Sequence, residues 1–399
     1  MSGVSIVIPC YNQARFVAAT VASALAQREP PLEVIVVDDG STDDVAGALA
    51  AYAGRITLLR QANRGLAGAR NSGLRAASGA YLLFLDSDDQ LEPEALGRLR
   101  ALLDAQPECG LAYCAWRQID ASGTEVLGEV HPGAHVDPLR SLLLRRFFFF
   151  ASGALIRRTC LEQVGAFDEE LPWGEDADMW LRIAHAGYGF AYLDAVLLRY
   201  RVHAGSMTSA ISPRQVASWG AGLDKFFQAP GLAPEICALE YEARAVLHFE
   251  TAGRYYRAGQ ADAGREQLAT GLRLHPAVSG DWLLEWVAGT ALDPRTGDPF
   301  GLIERIGAHL EVELGGEGRW RRRAYGRYHT AACFAAAAGR DWARVRRHLA
   351  PALRADPALW RNRGFWRIAV RALFVRMQNA ECRNVPEGAV IRQEGVGKA

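Results

Sequence analysis

The chain has 399 residues, half of them hydrophobic, and its 45 basic and 45 acidic side chains cancel to a formal charge of zero. That length suits two domains or one large domain with an extension, and the neutral balance gives no electrostatic case for nucleic acid as a partner. Seven cysteines without CxxC-type spacing argue against a zinc site or disulfide framework and predict a cytoplasmic setting.

Val4–Ile8 reads as the first strand, and no basic segment precedes it, so no secretory signal is expected. A helix over Phe16–Ala26 follows, then a strand at Val34–Val37, a helix near Asp44–Tyr52 and a strand at Ile56–Leu59. Asn71–Ala77 reads as a helix, Tyr81–Leu85 as a strand buried on both faces, and Pro93–Ala105 as a helix. This rhythm predicts an α/β fold with a doubly wound, mostly parallel sheet. Further strands are expected at Leu111–Ile119 and Glu125–Val130 around the Ser122-Gly123 turn, and at Ala151–Ile156. The helix Asp176–Ala186 stops at Gly187. After about Ser212 the residues become rich in Ala, Arg and Leu at helical spacing, which predicts an α/β domain over 1–212 and an all-α domain over 213–399. Within the latter, 258–277 and 338–358 each pair a Gly-broken helix end with a helix stopping before Pro, which resembles a tetratricopeptide-type hairpin. No run approaches the ~20 apolar residues of a membrane span, so a soluble chain is expected, at most peripheral at the inner face of a membrane.

The chemistry gathers at strand ends. Tyr81–Leu85 runs into Asp86, Ser87, Asp88 and Asp89. Asp86 and Asp88 are two apart, so an extended backbone points both to one side, where a cation or cationic partner is expected. The tip of a buried parallel strand is also where open α/β sheets place ligands. The alternative is that Asp88 and Asp89 only cap the next helix. Pro9 ends the first strand, with Tyr11 and Asn12 opening its loop. Asp38 and Asp39 end the second, where acids suit hydrogen bonds from a base or ribose, or else form an Asx turn before a helix. In 62–74, a Gly-rich loop, Gly65 and Gly68 permit close backbone approach while Arg64 and Arg70 could meet phosphate. Glu175, Asp176 and Asp178 surround a helix start. They fit either the macrodipole or a general base acting on a hydroxyl. His203, in 200–208, could ligate a metal or be structural.

In order and spacing, SIVIPCYNQ, VIVVDDGSTDD, NRGLAGARNSGL, YLLFLDSDD, VGAFDEELPWGEDADMWLR and YRVHAGSMT resemble glycosyltransferase family 2, the group with the GT-A fold; they span residues 4–208. The resemblance implies a GT-A sheet domain and an inverting transfer from a nucleotide-sugar donor, most commonly a UDP sugar, to a glycan or lipid-linked acceptor. It implies that Asp39 contacts base or ribose, with Pro9, Tyr11 and Arg64 around it. Asp86-Ser87-Asp88 matches the family's DxD motif, which holds donor ribose and a divalent metal. Asp88 would be the metal ligand, and the oxygen donors favour Mg²⁺ or Mn²⁺, with His203 tilting toward Mn²⁺. Asp176 would be the catalytic base, with Glu175 the fallback.

Processive members carry Gln-x-x-Arg-Trp and membrane spans. Here Tyr200-Arg201-Val202-His203 resembles single-addition members instead. A nucleotidyltransferase is the rival enzyme class, but Pro9-Cys10-Tyr11-Asn12 stands where its Gly-rich basic loop would follow the first strand. A degenerate domain serving as a scaffold is the non-enzymatic rival. In 360–377, Arg363, Arg367 and Arg371 recur every four residues beside Trp360, Trp366, Ile368 and Phe374. This pattern fits an interfacial helix or an ordinary surface helix with a solvated Arg face.

Overall fold

The computed structural model describes residues 3–207, 211–278, 280–293 and 295–381, with backbone alone for 357–358 and 373–381. Thr208, Cys382 and the Phe374 side chain lie outside the described residues. Two compact units divide the chain, Met1–His248 and Phe249–Ala399.

The first unit is built on a nine-stranded sheet. Strands β1 (Val4–Cys10), β2 (Glu33–Asp38), β3 (Thr57–Arg60) and β4 (Tyr81–Phe84) are parallel, in the order β3-β2-β1-β4. Helices α1 (Ala14–Leu25), α2 (Val45–Ala48), α3 (Gly65–Ala76) and α4 (Ala95–Ala105) alternate with them. β1 and β4 are buried along their whole length, as their continuous apolar runs require. Beyond β4 come β5 (Gln90–Leu91), β6 (Cys109–Ile119), β7 (Val126–Val130), β8 (Ala154–Arg157) and β9 (Gly189–Arg201). β8 lies antiparallel between β4 and β6, β9 parallel to β6, and β5 antiparallel to β9. The sheet is therefore mixed rather than mostly parallel. β6 and β7 form a hairpin around Gly123 (φ 79°), and antiparallel neighbours need no crossover helix.

Two local differences from expectation shape the site. Pro9 does not end β1, which runs on to Cys10 with Pro9 beside Val37. The Cys10 carbonyl accepts from Asp39 N–H at 2.8 Å, which turns the Pro9 nitrogen toward the opposite edge. There the β1–β4 pairing has already stopped at Val7, so no ladder bond is lost. Residues 65–70, read as loop, are the first turns of α3. The Asn63 side chain accepts from Gly65 N–H at 3.2 Å and starts that helix.

Helices α5 (Pro138–Leu143), α6 (Arg158–Val164), α7 (Glu175–His185), α8 (Pro213–Phe227) and α9 (Pro234–Cys237) complete this unit, and α10 (Glu240–Arg257) runs across the division. A capping box formed by Ser212 and Gln215 starts α8. Its Leu223 and Phe226 cluster with Leu143 and Leu181, so the first unit continues past the change of sequence grammar at 212.

The described part of the second unit is helical throughout: α11 (Ala261–Leu274), α12 (Gly280–Leu292), α13 (Pro299–Leu314), α14 (Arg319–Ala338), α15 (Trp342–Ala355) and α16 (Arg363–Glu381). α14 and α15 form an antiparallel hairpin. Arg340 turns it at φ 56°, Asp341 caps α15 through Arg344 N–H, and Gly326 meets Ala355 at the far end. Cys333, Val345, Leu349 and Phe365 are among the residues of its core. No helix among the described residues is long and apolar enough to cross a membrane.

The seat of α3 on the sheet is narrow. A Cβ on Gly73 would stand 2.2 Å from Val7 Cγ1, in the fully buried middle of β1. Gly73→Ala is expected to destabilise the unit by about 1–3 kcal/mol despite its better helix propensity. A lowered urea midpoint checks this; an unchanged or raised midpoint would show that α3 can lift off the strand.

Candidate active site

β2 lies on one side of β1 and β4 on the other, so the chain reverses its strand order at β1. The crevice beyond the carboxyl ends of β1 and β4 is thus the switch point at which such sheets take ligands. Three groups of the expected residues meet around it.

The first group follows β1 and β2. Tyr11 is 49% exposed, and Asn12 adopts φ 54°. Asn12 N–H donates to Ser41 Oγ at 3.0 Å, and Asn12 Oδ1 accepts from Thr42 N–H at 2.8 Å, tying the two loops together. The neighbouring acids divide the work that the sequence left open. Asp38 makes the turn, accepting from Ser41 N–H at 2.9 Å. Asp39, also buried, accepts at Oδ1 from Gln61 Nε2 at 2.7 Å and Arg64 N–H at 2.9 Å. Arg64 thus meets Asp39 through its backbone, while its guanidinium grips both oxygens of Glu169 at 2.9 and 2.7 Å.

The second group is an ion bridge. Arg70 projects from α3 and is 2% exposed. Its Nη1 donates to Glu175 Oε1 at 2.5 Å and its Nη2 to Asp86 Oδ1 at 2.7 Å, joining the start of α7 to the loop after β4. Burial opposes the Arg70 charge, but Asp86, Glu175 and Asp176 outweigh it and push its pKa up. Burial, with Asp176 alongside, raises Glu175 to about 7 against the pull of Arg70. Burial likewise raises Asp176, against Arg70 and an N–H from Ala177 at 2.7 Å. Asp178 takes no part. It pairs with Arg182 one turn on, at 2.8 Å.

The third group joins β4 to the end of β9. Asp88 Oδ2 and His203 Nε2 are 2.9 Å apart. His203 Nδ1 faces two donors, Gly205 N–H at 3.1 Å and Arg15 Nη2 at 3.3 Å. Nδ1 is therefore the acceptor, and in neutral His203 the proton sits on Nε2, pointing at Asp88. Ser87 is buried, its carbonyl accepting from Thr20 Oγ1 at 2.8 Å. Burial and the nearby Asp86 charge raise the Asp88 pKa, with His203 opposing.

Several residues of the site escaped the sequence reading. Arg201 donates from its backbone to Asp89 at 3.0 Å and from Nε to the Asp88 carbonyl at 2.8 Å. It lies in the Tyr200-Arg201-Val202-His203 stretch that the sequence singled out, but no site role was given to it there. Glu169 on Arg64 likewise lies in a singled-out motif, 164–182, while Arg15 on His203 carried no such signal. Among the described residues no group of three or more His, Cys, Asp or Glu is arranged to hold a metal by itself.

The glycosyl transferase family 2 model matches residues 5–165, which include β1 to β4 and the acids after them. An uncharacterized glycosyltransferase of Nostoc sp. is 32% identical over 229 residues, covering 54% of this chain and 70% of its own length. One from Rickettsia prowazekii is 30% identical over 212 residues, covering 52% of this chain and 66% of its own; the chain thus spans about two thirds of that relative. The solved structure of S. aureus TarS superposes with a TM-score of 0.48 at 18% identity, over 81% of this chain and 54% of that one. The likeness to the Nostoc protein, carried across most of that protein's length, agrees with the family match over residues 5–165: the chain belongs to glycosyl transferase family 2.

Proposed function

We propose that this glycosyltransferase moves a single sugar from a nucleoside-diphosphate donor to a hydroxyl of a glycan or lipid-linked acceptor, with inversion and with Asp176 as the base. UDP is the first donor nucleotide to test. The observation that carries the reading is the Arg70 bridge, which holds the Glu175-Asp176 helix start against the acid loop at the switch point. Asp39 would take the base or ribose, with Pro9, Tyr11, Asn12 and Arg64 around it, and Asp86 and Ser87 the donor ribose.

The division of labour between Glu175 and Asp176 follows from their partners. Glu175 is 5% exposed and clamped by Arg70, so it positions. Asp176 is less buried and makes no salt bridge among the described residues, which leaves it fit to accept the acceptor's proton. The burial that raises its pKa also makes it a stronger base.

A divalent cation, Mn²⁺ or Mg²⁺, fits the remaining donor set. Asp88 and His203 would hold it, and the crowding of Asp86 on Asp88 is the kind of repulsion a cation relieves. Once bound, it would supply counter-charge for the departing diphosphate. His203 would serve through Nε2 only with its proton moved to Nδ1, so the Gly205 and Arg15 donors that face Nδ1 would have to turn away.

The 360–377 segment supports a peripheral contact with anionic lipid. Trp360 and Val370 are 60% and 58% exposed beside Arg363, Arg367 and Arg371. Salt-sensitive flotation with anionic liposomes is expected; no flotation at low salt would remove this contact.

Asp176→Asn is expected to lower transfer about 10²–10⁴-fold with donor binding retained. Loss of donor binding with the chemistry would instead make Asp176 a donor ligand. Asp88→Ala is expected to abolish Mn²⁺-dependent donor hydrolysis, while undetectable nucleotide binding in the wild type would favour a scaffold. A base must be deprotonated, and burial raises the pKa of Asp176. The kcat/KM profile should therefore fall on the acid side at a pH above that of an exposed carboxylate. A profile flat down to about pH 4 would exclude Asp176 as base.

A further inference from the structure

The second unit carries a cavity of about 390 Å³ lined by Phe300, Tyr328, His329, Arg344, Arg347 and His348. That volume lies within the ~300–1,000 Å³ of small-molecule sites. We propose that this cavity binds an anionic saccharide, a sugar ring bearing a phosphate or carboxylate, apart from the site in the first unit.

Its walls divide by chemistry. Phe300, the second residue of α13, is 44% exposed, and its ring packs on Tyr328 and His329 at centroid distances of 5.5 and 5.8 Å. This is an apolar platform of the kind that a sugar's CH face covers. Arg344 and Arg347, exposed near the start of α15, form no salt bridge with a carboxylate among the described residues. Between platform and arginines, His329 Nδ1 lies 2.8 Å from His348 Nδ1. One ring must donate and the other accept, so the accepting ring carries its own proton on Nε2 and offers a donor there.

The electrostatics point to the same ligand. Burial, His329, Arg344 and Arg347 together pull His348 down to about 4. Positive charge is thus already crowded in the cavity, and an anion is the group that relieves it. An arginine pair supplies planar, charge-assisted donors suited to phosphate and carboxylate alike. A neutral sugar would use the platform only.

The test is calorimetric titration of the full chain with glucose 6-phosphate, glucuronate and glucose, alongside imidazole NMR of His329 and His348. The charged sugars should bind saturably, shift both imidazoles and outcompete glucose at least tenfold. Whichever of the two binds more tightly names the anion. Arg344→Gln/Arg347→Gln should weaken that binding at least tenfold, and Phe300→Ala should weaken the charged sugars more than inorganic phosphate. No saturable binding overturns the proposal. Binding that survives the arginine variant also overturns it, because the ligand would then sit elsewhere, as in the catalytic crevice. Circular dichroism of the variants, whose changed side chains are exposed, separates misfolding from loss of contact.

Discussion

The site depends on one buried cation. Arg70 reaches from α3 into a place with almost no solvent and holds Glu175 with one nitrogen and Asp86 with another. A charge so placed is unfavourable unless its partners compensate, and breaking such a pair typically costs about 3–5 kcal/mol. Its Nε has no partner among the described residues, so the guanidinium is placed for its two terminal contacts rather than for full satisfaction. Those contacts come from segments about ninety residues apart in sequence. Without them two acidic elements would face each other across the crevice and repel. The Phe167 ring, 5.3 Å from the guanidinium, closes one side of the bridge.

The loops around the bridge are fixed by smaller ties of the same kind. Asn12 links the ends of β1 and β2, and Asp39 links β2 to the start of α3. Arg201 links the end of β9 to Asp88 and Asp89, and its guanidinium lies 4.8 Å from the Phe16 ring. The crevice is therefore assembled from hydrogen bonds between loop ends while the apolar strands beneath supply a rigid floor. Rigid strands with polar loop tips let a fold vary its ligands without disturbing its core.

This division also explains what could be read in advance. The buried strands announce themselves as continuous apolar runs, and the acids stand at their ends because nothing else tolerates so abrupt a change of polarity. Asp39, Asp86 and Asp88 were legible for that reason, whereas Asp176 stands at the start of α7. β9 was not, because its sequence places Asp194 and Arg199 among apolar residues without clean alternation. Those positions face different surroundings along thirteen residues, with β6 on one side and β5 only at the end. The early start of α3 was hidden too, since Gly65 and Gly68 argue for loop. The structure uses Gly68 for closeness instead: a Cβ there would stand 2.6 Å from that of Arg64. Arg64 and Arg70 read as free cations because a sequence shows charges without their partners, and Glu169 and Glu175 lie about a hundred residues away.

The run of acids after β4 carries less charge than its letters suggest. Asp89 is fully buried, and burial together with Asp88 and Asp86 pushes its pKa well above the usual range. One of its oxygens accepts from Arg201 N–H, and the other has no partner among the described residues. Neutral Asp89 can tolerate that position, whereas an ionised one would stand beside two like charges with a single hydrogen bond. Asp88 is the intermediate case, raised by burial yet facing the His203 proton. Asp86 has a full cation in Arg70. The upward push thus grows from Asp88 to Asp89 as burial deepens. That gradient arises from burial and from which partner each acid was given, not from the acids themselves, which are identical.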